Sequence, residues 1–213
     1  MIGIIADSTC DIPEELIEQY GITIVPQYII WGEQQYKDRV EMSPLEFYQR
    51  LQTDETRPTT SQASILDFKS VYETQNQLGF SELIVLTVSS AMSGTFHMAK
   101  EAGKLVNFPV FVVDSKGPTM TLGWQVLAAA RARDTCADVK TILEKIDQVR
   151  NRLAQFVAMD TLEYLQKGGR IGGAVKWVGG LLQVKPLVSI NHETGLVEPV
   201  SLARTHKSLV ENM

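Results

Sequence analysis

Three short segments carry hydroxyls and carboxylates at spacings that could do chemistry: Asp7-Ser8-Thr9, Ser89-Ser90-Ala91-Met92-Ser93-Gly94-Thr95 and Asp114-Ser115. Each ends an apolar run of strand length. In an open parallel sheet the helices that follow the strands aim their N-termini at one rim, and ligands settle in the crevice there. Ser93-Gly94-Thr95 is the sharpest of the three. Its hydroxyls and backbone N–H groups suit a small anion or carboxylate, and Gly94 lets a ligand approach the backbone; the same residues also fit an ordinary helix cap. Thr59-Thr60-Ser61-Gln62 reads as a loop before a helix, which either adds hydroxyl donors such as Thr60 and Ser61 or is a plain turn. Arg170, in Lys167-Gly168-Gly169-Arg170, sets a planar guanidinium on flexible backbone, suited to a carboxylate or phosphate, or is a surface arginine after a helix end. Met92, Met98, Met120 and Met159, with Phe96, Trp177, Leu181 and Leu182, could line an acyl-chain tunnel or fill gaps in a core.

Several catalytic readings fail on motif. No GxGxxG follows the first strand, and there is no phosphate loop, nucleophile elbow or HExxH. Ser93 has no identifiable histidine base with an acidic orienter, so a hydrolase or transferase using Ser93 as nucleophile is the weaker alternative to a carrier. His97 is a conceivable acid or base or an exposed helical residue, and His192 and His206 have no partner at informative spacing. No catalytic residue, metal site or cofactor is expected.

The elements that position these groups alternate at first. Ile2 to Ala6 is a strand, Pro13 opens a helix closed by Gly21, and Ile22 to Trp31 reads as one or two strands around Pro26. Ser43-Pro44 starts a helix, Thr53 to Gln62 is polar, and Ser64 with Asp67 has capping-box spacing. Leu83 to Val88, a helix from Phe96 to Val106, and Val110 to Val113 form a βαβ unit, which requires parallel strands. Helices follow over Thr119 to Arg133 and Asp138 to Leu153. After Leu153 come a strand (Phe156 to Met159), a short helix (Thr161 to Gln166), a glycine-rich cationic patch (Gly168 to Gly180) and a hairpin turning through Asn191 to Gly195. The expected fold is therefore α/β, with an N-terminal parallel-sheet domain over residues 1–153 and a smaller α+β domain over 154–213.

Composition bounds the function. The chain has 213 residues, 44% hydrophobic and 21% charged, with mean hydropathy −0.03, which suits a globular fold. No apolar run approaches a bilayer span, the start lacks a basic signal region, and glycine is third rather than second, which excludes N-myristoylation. The net charge of −5 argues against a nucleic-acid coat. Residues 1–106 hold 7 Lys/Arg and 15 Asp/Glu, whereas residues 107–213 hold 13 and 10, so an anion finds its cation more naturally in the second half. Cys10 and Cys136 have no CxxC partner, consistent with a reducing, cytoplasmic setting.

Together these motifs resemble the DegV family of bacterial fatty-acid-binding proteins, which includes the binding subunits of fatty-acid kinase. The resemblance runs end to end: Ala6-Asp7-Ser8-Thr9 with Asp11-Ile12-Pro13, Thr60-Ser61-Gln62-Ala63-Ser64, Ser93-Gly94-Thr95, Val113-Asp114-Ser115, Asp160 to Leu165 with Lys167 to Ile171, and Val184-Lys185-Pro186. It implies a two-domain protein with a long-chain fatty acid such as palmitate between the domains. Thr60 and Ser93 would bind the carboxylate, with Ser61, Gly94, Thr95 and Arg170 around that head group, and a kinase subunit would phosphorylate the presented acyl carboxylate. A sixteen-carbon chain gains on the order of 10 kcal/mol from burial before ordering costs, against ~1.5 to 3 for a charge-assisted head-group bond, so the tunnel would set affinity and the head group orientation. Two departures stand out. Ala63 replaces the common proline, a mild change if that proline only presets the helix, and Lys116-Gly117-Pro118-Thr119 replaces a run of small residues. The family also continues past the Ala203-Arg204-Thr205 region to a histidine-bearing, glycine-rich segment, so the second domain, with its helix from near Thr205, is expected to be incomplete.

Overall fold

A computed structural model describes residues 1–177, 184–205, 207 and 208. In chain order the elements are β1 (Ile2–Asp7), α1 (Glu14–Gln19), β2 (Thr23–Val25), β3 (Tyr28–Trp31), β4 (Gln34–Lys37), α2 (Pro44–Thr53), β5 (Thr59–Ser61), α3 (Ile65–Gln77), β6 (Glu82–Thr87), α4 (Thr95–Gly103), β7 (Val110–Asp114), α5 (Met120–Asp134), α6 (Val139–Arg150), β8 (Phe156–Ala158), α7 (Glu163–Lys167), β9 (Lys185–Ile190) and β10 (Val197–Ala203). The fold is mixed α/β, with one parallel and two antiparallel sheets among the described residues.

The parallel sheet has the order β2-β1-β6-β7. Its strands are apolar on both faces because helices cover both. Ile4, Ala6, Ile84 and Leu86 pack against Leu122 and Val126 of α5 and Ile142 and Ile146 of α6. Ile5, Leu83 and Val85, alternating with them, meet Phe68 and Tyr72 of α3 and Ala99 and Ala102 of α4. The Ser64–Asp67 capping box is formed, with Asp67 N–H donating to Ser64 Oγ at 3.1 Å and Ser64 N–H to Asp67 Oδ2 at 2.8 Å. Among the described residues no helix is long and apolar enough to cross a membrane.

The run Ile22 to Trp31 divides between two sheets. β2 pairs with β1, while β3 crosses beyond Pro26 into an antiparallel sheet of order β4-β3-β5. The proline cannot donate to a ladder, so pairing stops there and restarts elsewhere. Thr59-Thr60-Ser61 is a strand rather than the expected loop: its register on β3 sets Ile29 opposite Thr60 and Tyr28 opposite Ser61. Ladder bonds to β3 outweigh the polar composition, and threonine's branched Cβ fits a pleated edge. Ile29, Trp31 and Met42 form the small core under α2, with Phe47 edge-on to Trp31 at 5.5 Å.

Beyond α6, β8, β9 and β10 form an antiparallel sheet of order β10-β9-β8. Val188, Ile190 and Val197 pack on Leu162, Ile171 and Ala174. The turn from Asn191 to Gly195 reaches back to the parallel sheet, where Ser89 Oγ donates to the Gly195 carbonyl at 2.8 Å. Leu181, Leu182, His206, the end of the 168–180 patch and most of the helix expected from near Thr205 lie outside the described residues.

Candidate functional site

The turns after β1, β6 and β7 meet on one rim because those three strands are adjacent and parallel. Their acids hold the rim together. Asp7 is fully buried, and its carboxylate accepts from Val88 N at 2.7 Å and from Thr9 N at 2.9 Å. Burial pushes its carboxyl above the usual range despite those bonds. Asp114 accepts from Ser90 N at 3.1 Å and Lys116 N at 3.0 Å, and Lys116 Nζ lies 3.0 Å away. Burial pushes the Asp114 carboxyl up too, but the bonds from Ser90 and Lys116 outweigh it and hold the group below the usual range. The acids lash neighbouring loops together, and they also accept from the hydroxyls beside them, Thr9 Oγ1 on Asp7 and Ser90 Oγ on Asp114.

A cleft of about 800 Å³ opens over this rim, within the range of small-molecule sites. Ser8 and Thr9 from the β1 turn, Met92 and Ser93 from the β6 turn, and Pro118 and Thr119 before α5 form its floor. β5 brings Thr60 and Ser61 to it, and the end of α7 brings Lys167, Gly168 and Arg170. Four residues singled out in the sequence, Thr60, Ser61, Ser93 and Arg170, therefore share one cavity. Thr60 is exposed, and its hydroxyl makes no hydrogen bond among the described residues. Ser61 Oγ donates to Gln62 O at 3.2 Å. Arg170 Nε donates to Met92 O at 2.9 Å and Nη1 to Gly168 O, so the guanidinium straps α7 to the β6–α4 turn.

Gly94 and Thr95 do not line the cleft. The space beside Gly94 holds the Gln62 side chain, 3.2 Å from where a Cβ would stand, so a side chain of the protein itself fills the room the glycine leaves. Thr95 is buried one layer behind Ser93, with the two hydroxyl oxygens 2.8 Å apart. Ser93 is no ordinary N-cap, since α4 is capped at Gly94 without a side-chain bond. Thr119 takes the unusual φ of +54° at the start of α5, with its hydroxyl accepting from Gln155 Nε2 at 2.8 Å. The Lys116–Thr119 departure thus shapes the cleft floor.

The methionines divide. Met92 lines the cleft and packs with Met159 against the β8–β10 core, whereas Met98 and Met120 fill the two cores on opposite faces of the parallel sheet. Among the described residues no histidine reaches Ser93, whose hydroxyl bonds there only to Thr95. His97 is exposed, and the buried nitrogens of the His192 ring face the backbone of Lys116 and Leu153. Among the described residues no group of side chains could hold a metal ion.

Gln27, just past Pro26, escapes a sequence reading. It is buried, lines the cleft, accepts from Ala63 N at 3.0 Å through Oε1 and donates to Thr95 Oγ1 at 3.1 Å through Nε2. Its partners lie 36 and 68 residues away, so no local pattern marks it. Ala63 is correspondingly not a neutral replacement for proline, because its N–H is used.

Fold and cleft define an α/β protein with a hydroxyl-rich pocket at the carboxyl edge of a parallel sheet. The sequence model of the DegV family, described as uncharacterised proteins, matches residues 1–213, and the chain belongs to that family. A DegV domain-containing protein of Clostridium acetobutylicum is 37% identical over 193 residues, covering 90% of this chain and 68% of its own. Among solved structures, a fatty-acid-binding DegV family protein from Thermus thermophilus is similar at TM-score 0.90 and 32% identity, over 99% of this chain and 74% of its own. A stearic-acid-binding protein from Eubacterium ventriosum is similar at TM-score 0.89 and 28% identity, over 100% and 74%.

Proposed function

We propose that this chain binds a long-chain fatty acid such as palmitate, with the carboxylate at Thr60 and Ser93 and the acyl chain running between a domain of residues 1–153 and a cover of residues 154–213. The observation that carries this reading is the convergence of Thr60, Ser61, Ser93 and Arg170 on one cleft, where Ser93 is bonded to a threonine and not to a base. The relatives from Thermus thermophilus and Eubacterium ventriosum bind fatty acids, which supports the ligand class. As part of the same reading the protein is a cytoplasmic carrier in lipid transport or fatty-acid metabolism that presents the acyl carboxylate to a fatty-acid kinase subunit. Free thiols at Cys10 and Cys136 support the reducing setting, and the exposure of Thr60 and Arg170 supports access to the head group.

Replacing Ser93 by alanine is expected to weaken palmitate binding roughly 10- to 100-fold, the worth of one charge-assisted hydrogen bond. Isothermal titration with palmitate measures it, and unchanged affinity removes Ser93 from the site. Turnover of an acyl ester that disappears in the same variant would instead support a Ser93 nucleophile.

A further inference from the structure

The Ser93 hydroxyl has two contacts with Thr95, one to its hydroxyl at 2.8 Å in which either oxygen can donate and one from its N–H at 3.3 Å, and the bonds that favour one direction begin at Ala63 and Gln27. Ala63 N–H can only donate, so the atom of Gln27 facing it at 3.0 Å is the carbonyl Oε1, and the amide Nε2 must face Thr95. Thr95 Oγ1 accepts from that Nε2 at 3.1 Å, which frees its own proton for another acceptor. Two acceptors are in reach: Ser93 Oγ at 2.8 Å and Gln27 Oε1 at 3.4 Å. The shorter contact is the stronger bond. Thr95 N–H also donates to Ser93 Oγ, at 3.3 Å. A serine oxygen that accepts twice has only its proton left to offer, and Ser93 lines the cleft.

We infer that Gln27 is a positioning residue that, through Thr95, turns the Ser93 hydroxyl into an outward donor and so tunes the cleft for an acceptor-only head group, an ionised carboxylate, over a neutral alcohol. The inference rests on the fatty-acid reading above and deepens it. Gln27 sets polarity through Thr95, and a carboxylate gains more than an alcohol from a donor fixed in advance, because the bond is charge-assisted. Without the amide, the Thr95 and Ser93 hydroxyls can exchange donor and acceptor roles, and the preference for the acid shrinks.

The test is competition binding of palmitate and hexadecanol to the whole chain. Wild-type protein is expected to favour palmitate. Gln27→Met, which keeps the volume and removes both bonds, is expected to lower palmitate affinity roughly 10-fold while hexadecanol stays within about 2-fold. Ala63→Pro keeps the glutamine and removes the N–H that orients it, so it should narrow the preference in the same direction even where Gln27→Met does not fold. A loss of cleft shape would weaken both ligands together. Equal losses for the two ligands, or an unchanged ratio in a folded variant, overturn the role of Gln27 while the fatty-acid reading stands. Wild-type protein that binds neither ligand overturns both.

Discussion

Asp7→Ala is expected to destabilise the protein by about 3 kcal/mol, through two backbone N–H groups deprived of their acceptor at the end of β1. Val88 N and Thr9 N both donate to this carboxylate, and water cannot replace it because the side chain is wholly buried. For a chain of this size the loss corresponds to a fall in Tm of roughly 10 °C. Asp7→Asn should do little better, since its amide would turn a second donor toward either Val88 N or Thr9 N. Thermal denaturation decides it. A loss below about 1 kcal/mol would mean that the rim does not depend on this lash.

The second large effect is expected at Gly195, where the β9–β10 turn lies against the rim. Its φ is +74°, and a Cβ would fall 2.1 Å from Ser89 Oγ and 3.5 Å from the Lys116 Cα. An alanine cannot be seated there without moving the turn off Ser89, which also breaks the bond from that hydroxyl to the Gly195 carbonyl. Left-handed backbone costs a non-glycine residue roughly 1–2 kcal/mol, and the lost contact brings the expected total to about 3. Gly21→Ala is the control. Gly21 has φ +53° with nothing within 4 Å of its would-be Cβ, so it carries the backbone cost alone, about 1 kcal/mol. Equal losses at the two glycines would show that docking of the hairpin contributes little to stability. A larger loss at Gly195, accompanied by weaker palmitate binding, ties hairpin docking to the cleft.

Much of this was legible in the sequence, for reasons that can be located. Asp7-Ser8-Thr9, Ser89 to Thr95 and Asp114-Ser115 each end an apolar strand, and parallel pairing carries all three to one rim. The capping box at Ser64 and Asp67 is a four-residue signal that needs no tertiary context. The β3–β4–β5 sheet gives no such signal: Gln34 to Lys37 and Thr59 to Ser61 are short polar strands lacking an alternating apolar face, so only their pairing with β3 defines them. Gly94 was expected beside the ligand, but its missing side chain accommodates Gln62, which a linear reading could not place. Gln27 is the clearest case of information held only in three dimensions. A glutamine after a proline looks like surface, and its meaning comes from an N–H on the α3 approach and a hydroxyl at the start of α4.

Native mass spectrometry of the purified chain, before and after incubation with palmitate, decides whether the cleft holds a fatty acid. One bound species with the mass of a long-chain fatty acid is expected, either co-purified or taken up on addition, with a reduced fraction of it in Ser93→Ala. Protein that emerges without lipid and takes up no added palmitate would contradict fatty-acid binding.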